Sequence, residues 1–179
     1  MSPDESIAGV ALAIVRDNQD KSGLGRVRVS FPWHSLPDDT YWARVTTPLA
    51  GENHGFYFTP EIDDEVLVAF DHGDLQSPYV VGSLWNSSNR PPVRNTGVSS
   101  QVRLQLIDGK RLTLDQNGIE VADAHGNTIS IEQGSGAITI HAAGSLALKA
   151  AQISIESAGT LVLKSSATLT LQGAMVRIN

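Results

Sequence analysis

The sequence predicts an all-β chain in two parts: a small barrel, then a repetitive β structure that needs copies of itself to close. Three observations carry this. Roughly the first 90 residues hold six short runs rich in β-branched and aromatic residues, separated by Gly, Pro, Asn and Asp. No window keeps a helical periodicity over three turns. From residue 101 onward, apolar pairs at i and i+2 recur ten times with a period near eight.

In order, the six runs are AGVALAIV (8–15), GRVRVSF (25–31), YWARVTT (41–47), GFYFTP (55–60), EVLVAF (65–70) and PYVVGSLW (78–85). Five or six strands in about 80 residues suit an OB-like barrel. All 3 Trp, 3 Tyr and 4 Phe fall in this part and are expected to form its core and packing surfaces. The stretch NSSNRPPVRNTGVSS (86–100) has the composition of a linker, stiffened by Pro91 and Pro92. The expected organisation is a barrel over 1–88, a linker over 89–100 and repeats over 101–179.

The repeat pairs are Leu104/Leu106, Leu112/Leu114, Ile119/Val121, Ile129/Ile131, Ile138/Ile140, Leu146/Leu148, Ile153/Ile155, Leu161/Leu163, Leu169/Leu171 and Val176/Ile178. Each unit is a strand of four or five residues, inside–outside–inside, followed by a turn with small residues and Gly for positive φ. Two inward side chains per unit make a stripe rather than a core. Three chains around one axis would bury every stripe and leave no long edge strand. The expected object is an intertwined triple-stranded β-helix, a β-prism needle built by a homotrimer, about 45–50 Å long. An ordinary meander or sandwich with coincidental spacing is the competing arrangement. Ten units without an aromatic weigh against it, as do Lys110, Lys149, Glu156, Lys164 and Arg177 at outward positions.

The formal net charge of −6 opposes a phosphate-backbone partner, so no nucleic acid is expected even though Trp33, Tyr41, Trp42 and Phe58 could stack on bases. With no cysteine there is neither a disulfide nor a thiolate metal site. The N-terminus is acidic where a secretory leader is basic, and no apolar run approaches the ~20 residues of a bilayer span. A chain made in the cytoplasm, exported only by a machine, is expected. The acidic runs EIDDE (61–65) and DHGD (71–74) lack the twelve-residue calcium loop pattern. His34, His54, His72, His125 and His141 have no close ligand spacing. The GSG at 134–136 is a turn, not a nucleophile elbow. No enzyme, metal or cofactor is expected.

The segments GRVRVSFPW (25–33) and YWARVTTPLAGENHGFYFTPEIDDEVLVAFDHGDLQSPYVVGSLWN (41–86) closely resemble the OB domain of VgrG and phage baseplate-assembly V proteins, the central spikes of contractile injection systems. The resemblance is carried in order by Gly25, Arg26, Phe31, Pro32, Trp33, Trp42, Arg44, Val45, Ala50, Gly51, Gly55, Pro60, Glu61, Asp64, Glu65, Val66, Val68, Phe70, Gly73, Asp74, Pro78, Val80 and Gly82. It implies that Trp33, Trp42, Arg44, Pro60, Glu61, Asp64, Glu65, Gly73 and Asp74 form the OB signature and hub-docking set. The family usually has Gly where Asp63 stands, which puts a positive-φ turn there in question.

The resemblance also implies a cell-puncturing needle that docks on a baseplate hub protein, sometimes carries effector cargo, and is driven through a target envelope when a sheath contracts. A non-piercing tail-tip adaptor that positions a tip or effector protein is the alternative. The hub region that precedes this domain in VgrG is not found, so a stand-alone spike is expected, assembled into a phage tail or injection particle and delivered outside the producing cell. The apex lacks the His-x-His motif that binds iron in some relatives. A separate PAAR-like tip protein is therefore expected on Val176, Arg177, Ile178 and Asn179.

Overall fold

The structure, a computed structural model, describes residues 7, 9–34, 39–93, 97 and 101–177. Parts of the expected linker (94–96 and 98–100), Ala8 of the first expected strand, and Ile178 and Asn179 of the expected tip contact lie outside the described residues. The chain divides into two compact units, Met1–Gly97 and Val98–Asn179. Among the described residues every regular element is a strand, and no helix is long and apolar enough to cross a membrane.

The first unit is a closed five-stranded barrel of β1 (Val10–Asp17), β2 (Val27–Ser30), β3 (Thr40–Val45), β6 (Glu65–Asp71) and β7 (Asp74–Leu84), in the order β1-β2-β3-β7-β6. Its pairings are antiparallel except β3 with β7, whose parallel contact (Arg44 opposite Tyr79, Val45 opposite Val80) completes the circuit. Closing so few strands requires strong curvature. The pairing is irregular at Val15/Asp17, Leu67/Val68 and Phe70/Asp71, where register shifts let the strands bend. The barrel interior is narrow, and its core is small: Ala13, Val15, Val27, Val29, Ala43, Val66, Val68 and Val80, with Phe31 at one end.

The aromatics do not fill this barrel, contrary to expectation. Phe31 is buried and gathers Trp33, Tyr41 and Phe70 at ring distances of 5.3–5.7 Å. Trp33, Phe56, Tyr57, Phe58 and Trp85 are exposed. The reason is volume, since a five-stranded barrel accepts valine-sized side chains at its inward positions. The expected strand at 55–60 also does not form. Only β4 (Ala50–Gly51) and β5 (His54–Gly55) pair there, and residues 56–60 continue as a loop held by bonds from the Phe56 amide to the Leu49 carbonyl and from the Thr47 hydroxyl to the Phe56 carbonyl.

The second unit contains an antiparallel meander of β8 (Val102–Gln105), β9 (Arg111–Asp115), β10 (Gly118–Ala122), β11 (Thr128–Glu132) and β12 (Ile138–His141). Five of the ten repeat units therefore pair within one chain, in the arrangement the sequence weighed against for the whole of 101–179. Residues 142–177 form no strand ladder within the chain. The turns explain the difference. The hairpins of the meander reverse at Gly109, Gly118, Gly126 and Gly136, all at positive φ, with Asp108, Asp115 and Asp123 side chains accepting backbone N–H groups two residues on. At Gly118 a Cβ would stand 1.9 Å from the Ile131 carbonyl oxygen, so only glycine fits. Gly144, Gly159 and Gly173 are not at positive φ, and their Ser-Ala-rich connections are marked by bends rather than by such hairpin turns.

Phe31→Ala is expected to destabilise the barrel by about 3–5 kcal/mol, whereas Phe56→Ala changes it by less than about 0.5 kcal/mol. Urea unfolding followed by tryptophan fluorescence measures this, because all three Trp lie in the barrel unit.

Candidate functional site

Two surfaces stand out, one in each unit. On the barrel, strict alternation in β2 and β3 sends Val27, Val29 and Ala43 inward and Arg28, Trp42 and Arg44 outward. Register then sets the rows. Arg28 lies opposite Trp42, and Arg44 opposite Tyr79, with Arg26 one residue before β2 on the same side. The guanidinium carbons of Arg26 and Arg28 stand 5.3 and 5.9 Å from the Trp42 ring centre, and that of Arg44 5.6 Å from Tyr79.

Arg26 is anchored by Asp20. Its Nε and Nη2 donate to the two carboxylate oxygens at 3.0 Å, and the backbone amides of Ser22, Leu24 and Arg26 donate to the same carboxylate. The Asp20 side chain is almost wholly enclosed. The Arg26 guanidinium, then the Ser22 hydroxyl, hold its carboxyl far below the usual carboxylate range, against a smaller opposing effect of burial.

The nine signature residues fall into four places. Trp42 and Arg44 belong to the outer rows. Trp33 packs on Phe31 near one end of the barrel. Pro60, Glu61, Asp64 and Glu65 build the turn into β6: Pro60 is buried, its carbonyl accepts from Asn18, and the Asp64 carboxylate accepts the Glu61 amide at 2.9 Å. Gly73 and Asp74 build the β6–β7 hairpin, where His72 (φ 48°) and Gly73 (φ 81°) give the doubly positive geometry of a type I′ turn. Asp63 adopts φ 69°, so the positive-φ turn persists without glycine. Its amide donates to the Val15 carbonyl at 2.9 Å and its carboxylate accepts from Arg16 at 2.8 Å, contacts that offset the strain.

Sequence reasoning did not single out Asp20, Arg28 or Tyr79. The alternation of GRVRV with WAR was the available signal for an outward arginine pair. The stacking partners come from cross-strand register, which local pattern does not give.

In the second unit, the meander collects its apolar residues on one face in two rows. One is Val102, Leu114, Ile119, Ile131 and Ile138; the other is Leu104, Leu112, Val121, Ile129 and Ile140. The opposite face carries Thr113, Glu120, Ser130 and Thr139, with Arg111 bonding Glu120 at 2.8 and 3.0 Å. Every member of both rows is exposed, from 36% for Leu112 to 69% for Ile138. An apolar trough of about 580 Å³ runs along the second row and on to Leu106 and Leu146. In the rest of the expected needle core, Leu146, Leu148, Ile153, Ile155, Leu161, Leu163, Leu169 and Leu171 are all more than half exposed. Of the expected tip residues, Val176 and Arg177 are exposed. Among the described residues no group of three or more His, Asp or Glu is placed to hold a metal.

Residues 11–85 match the type VI secretion system/phage-baseplate injector OB domain. Over these residues the barrel is similar to the VgrG and phage baseplate V proteins. The matched span begins in β1 and ends just after β7, so the VgrG-type domain is the closed barrel itself. The chain is 40% identical over 109 residues, 56% of its length, to the type VI secretion system spike protein VgrG2a of Pseudomonas aeruginosa. It is 42% identical over 72 residues to VgrG5 of the same organism, and 36% identical over 72 residues to the actin cross-linking toxin VgrG1 of Vibrio cholerae, each match covering 38% of the chain. These matches span 7–13% of the length of those relatives.

The depressed Asp20 pKa gives a pH dependence with a definite sign. Its stabilising effect is present above the unfolded-state value near 4 and is lost as pH falls through the folded value. Asp20→Asn should lower the urea midpoint of the barrel at pH 7, and the gap from the parent should narrow below about pH 4. A gap independent of pH would show that the carboxylate charge does not organise this loop.

Proposed function

We propose that the protein is the structural spike of a contractile injection system or phage-like tail, and that it works as a homotrimer. The observation that carries this is the double apolar row on an open sheet face, continued by pairs through Leu171. A sheet one layer thick with its apolar face in water needs a cover. Three copies facing one axis supply it and give residues 142–177 the hydrogen-bond partners they lack within one chain. In this reading 1–88 is the OB domain, 89–100 the linker and 101–179 the trimeric needle, in which the β8–β12 meanders pack through their apolar faces and the residues after them intertwine as a triple-stranded β-helix.

The spike names of the Pseudomonas relatives support membership of an assembled, exported injection apparatus. The OB domain then docks on a baseplate hub protein. The needle is driven through the target envelope by sheath contraction, with a PAAR-like protein at its tip and effector cargo where present. The chemistry is mechanical: stiffness comes from interchain ladders and a dry interior rather than from a catalytic centre.

The purified chain should have three times the 19.1 kDa protomer mass by light scattering. A monomer at micromolar concentration removes the proposal. Ile155→Asp would bury three unpaired charges in one layer, each costing several kcal/mol, and should abolish the trimer. Ser154→Lys, facing outward beside Glu156, should leave it intact. Equal melting temperatures for the two variants would refute the assignment of inner and outer faces.

A further inference from the structure

The outer face of β2, β3 and β7 has the composition of a binding surface. Arg28 and Arg44 are exposed and, among the described residues, form no ion pair; their guanidinium groups rest on Trp42 and Tyr79. A trough of about 490 Å³ runs between Arg26, Trp42, Arg44 and Tyr79 and reaches Leu24. Leu24 also borders a second concavity formed with Leu49, Phe56, Tyr57 and Phe58. The two share Leu24 in the 23–25 turn, where a Cβ added at Gly25 would stand 3.3 Å from the Tyr57 ring. Leu24 is 72% exposed and Tyr57 80%.

We infer that this surface binds an extended acidic polypeptide segment of a second protein, with carboxylates on Arg28 and Arg44 and an apolar side chain between Leu24 and Tyr57. This deepens the reading of the barrel as the hub-docking domain and rests on it. Charge complementarity selects the occupant. The chain carries a net charge of −6, yet this face presents arginines already oriented by aromatic rings, the arrangement suited to planar carboxylates. Arginine and aromatic side chains around an apolar centre are the residues that dominate protein interfaces. Nucleic acid fits less well, because affinity for a phosphate backbone grows with the number of phosphates neutralised and this face offers three arginines, one of them already held by Asp20.

The test uses the full chain and a fluorescein-labelled eight-residue peptide of alternating glutamate and leucine, followed by anisotropy. Saturable binding that weakens with salt is expected. The double variant Arg28→Glu/Arg44→Glu should weaken it roughly tenfold or more, and Tyr57→Ala should weaken it as well. Lys149→Glu, a charge reversal in the repeats, should leave it unchanged. Circular dichroism and mass measured on each variant keep misfolding separate from lost binding. No saturable binding, equal binding by the double variant, or tighter binding of a twelve-nucleotide oligothymidylate to the same residues would overturn the inference. The mass measurement stands apart: a trimer that ignores the peptide removes only this inference, and a monomer that binds it supports this surface while removing the spike reading.

Discussion

An antiparallel sheet one layer thick, with its apolar side chains all on one face, cannot be a finished structure in water. That constraint governs the repeat unit. Ten Val, Leu and Ile side chains line two rows on one side of the β8–β12 meander, while Thr113, Glu120, Ser130 and Thr139 occupy the other. At roughly 25 cal/mol per Å² of apolar surface removed from water, covering those rows is a large driving force. A copy of the same face carries a matching double row.

The two halves of the repeat unit meet this constraint from different starting points. Residues 101–141 satisfy their backbone through hairpins whose Asp side chains and positive-φ glycines reverse the chain. Residues 142–177 have the same apolar spacing, but their connections lack positive-φ glycines, and Ser157 and Ser165 hydroxyls accept the local amides of Gly159 and Ala167. Their backbone groups have no ladder within the chain, so the proposed trimer would order them as it forms. The meander would then be the part that exists before assembly, and the remainder the part that depends on it.

The barrel solves a different problem. Its narrow interior admits valine and alanine, which moves most aromatics to the surface and leaves arginine and aromatic side chains side by side on the outer face of β2, β3 and β7. Its turns are more tolerant than the glycine pattern of the family implies. Asp63 holds a left-handed conformation because its amide and carboxylate are both bonded, to Val15 and Arg16. Local strain at one residue is accepted where the surrounding contacts determine it.

The sequence by itself determined the all-β class, the OB-type barrel and the apolar rows at i and i+2, because a strand's inside–outside period of two is written directly into residue order. It also placed Trp42 and Arg44 on a recognisable strand. It did not determine which strands pair. The parallel closure of β3 on β7, the absence of a strand at 56–60, and the division of ten similar repeats into a five-stranded meander and an unpaired remainder all depend on hydrogen-bond partners distant along the chain. The same holds for the arginine–aromatic surface. Alternation sends Arg28 and Arg44 outward, but only cross-strand register sets them on Trp42 and Tyr79, because that contact joins residues whose nearness exists in the folded barrel alone.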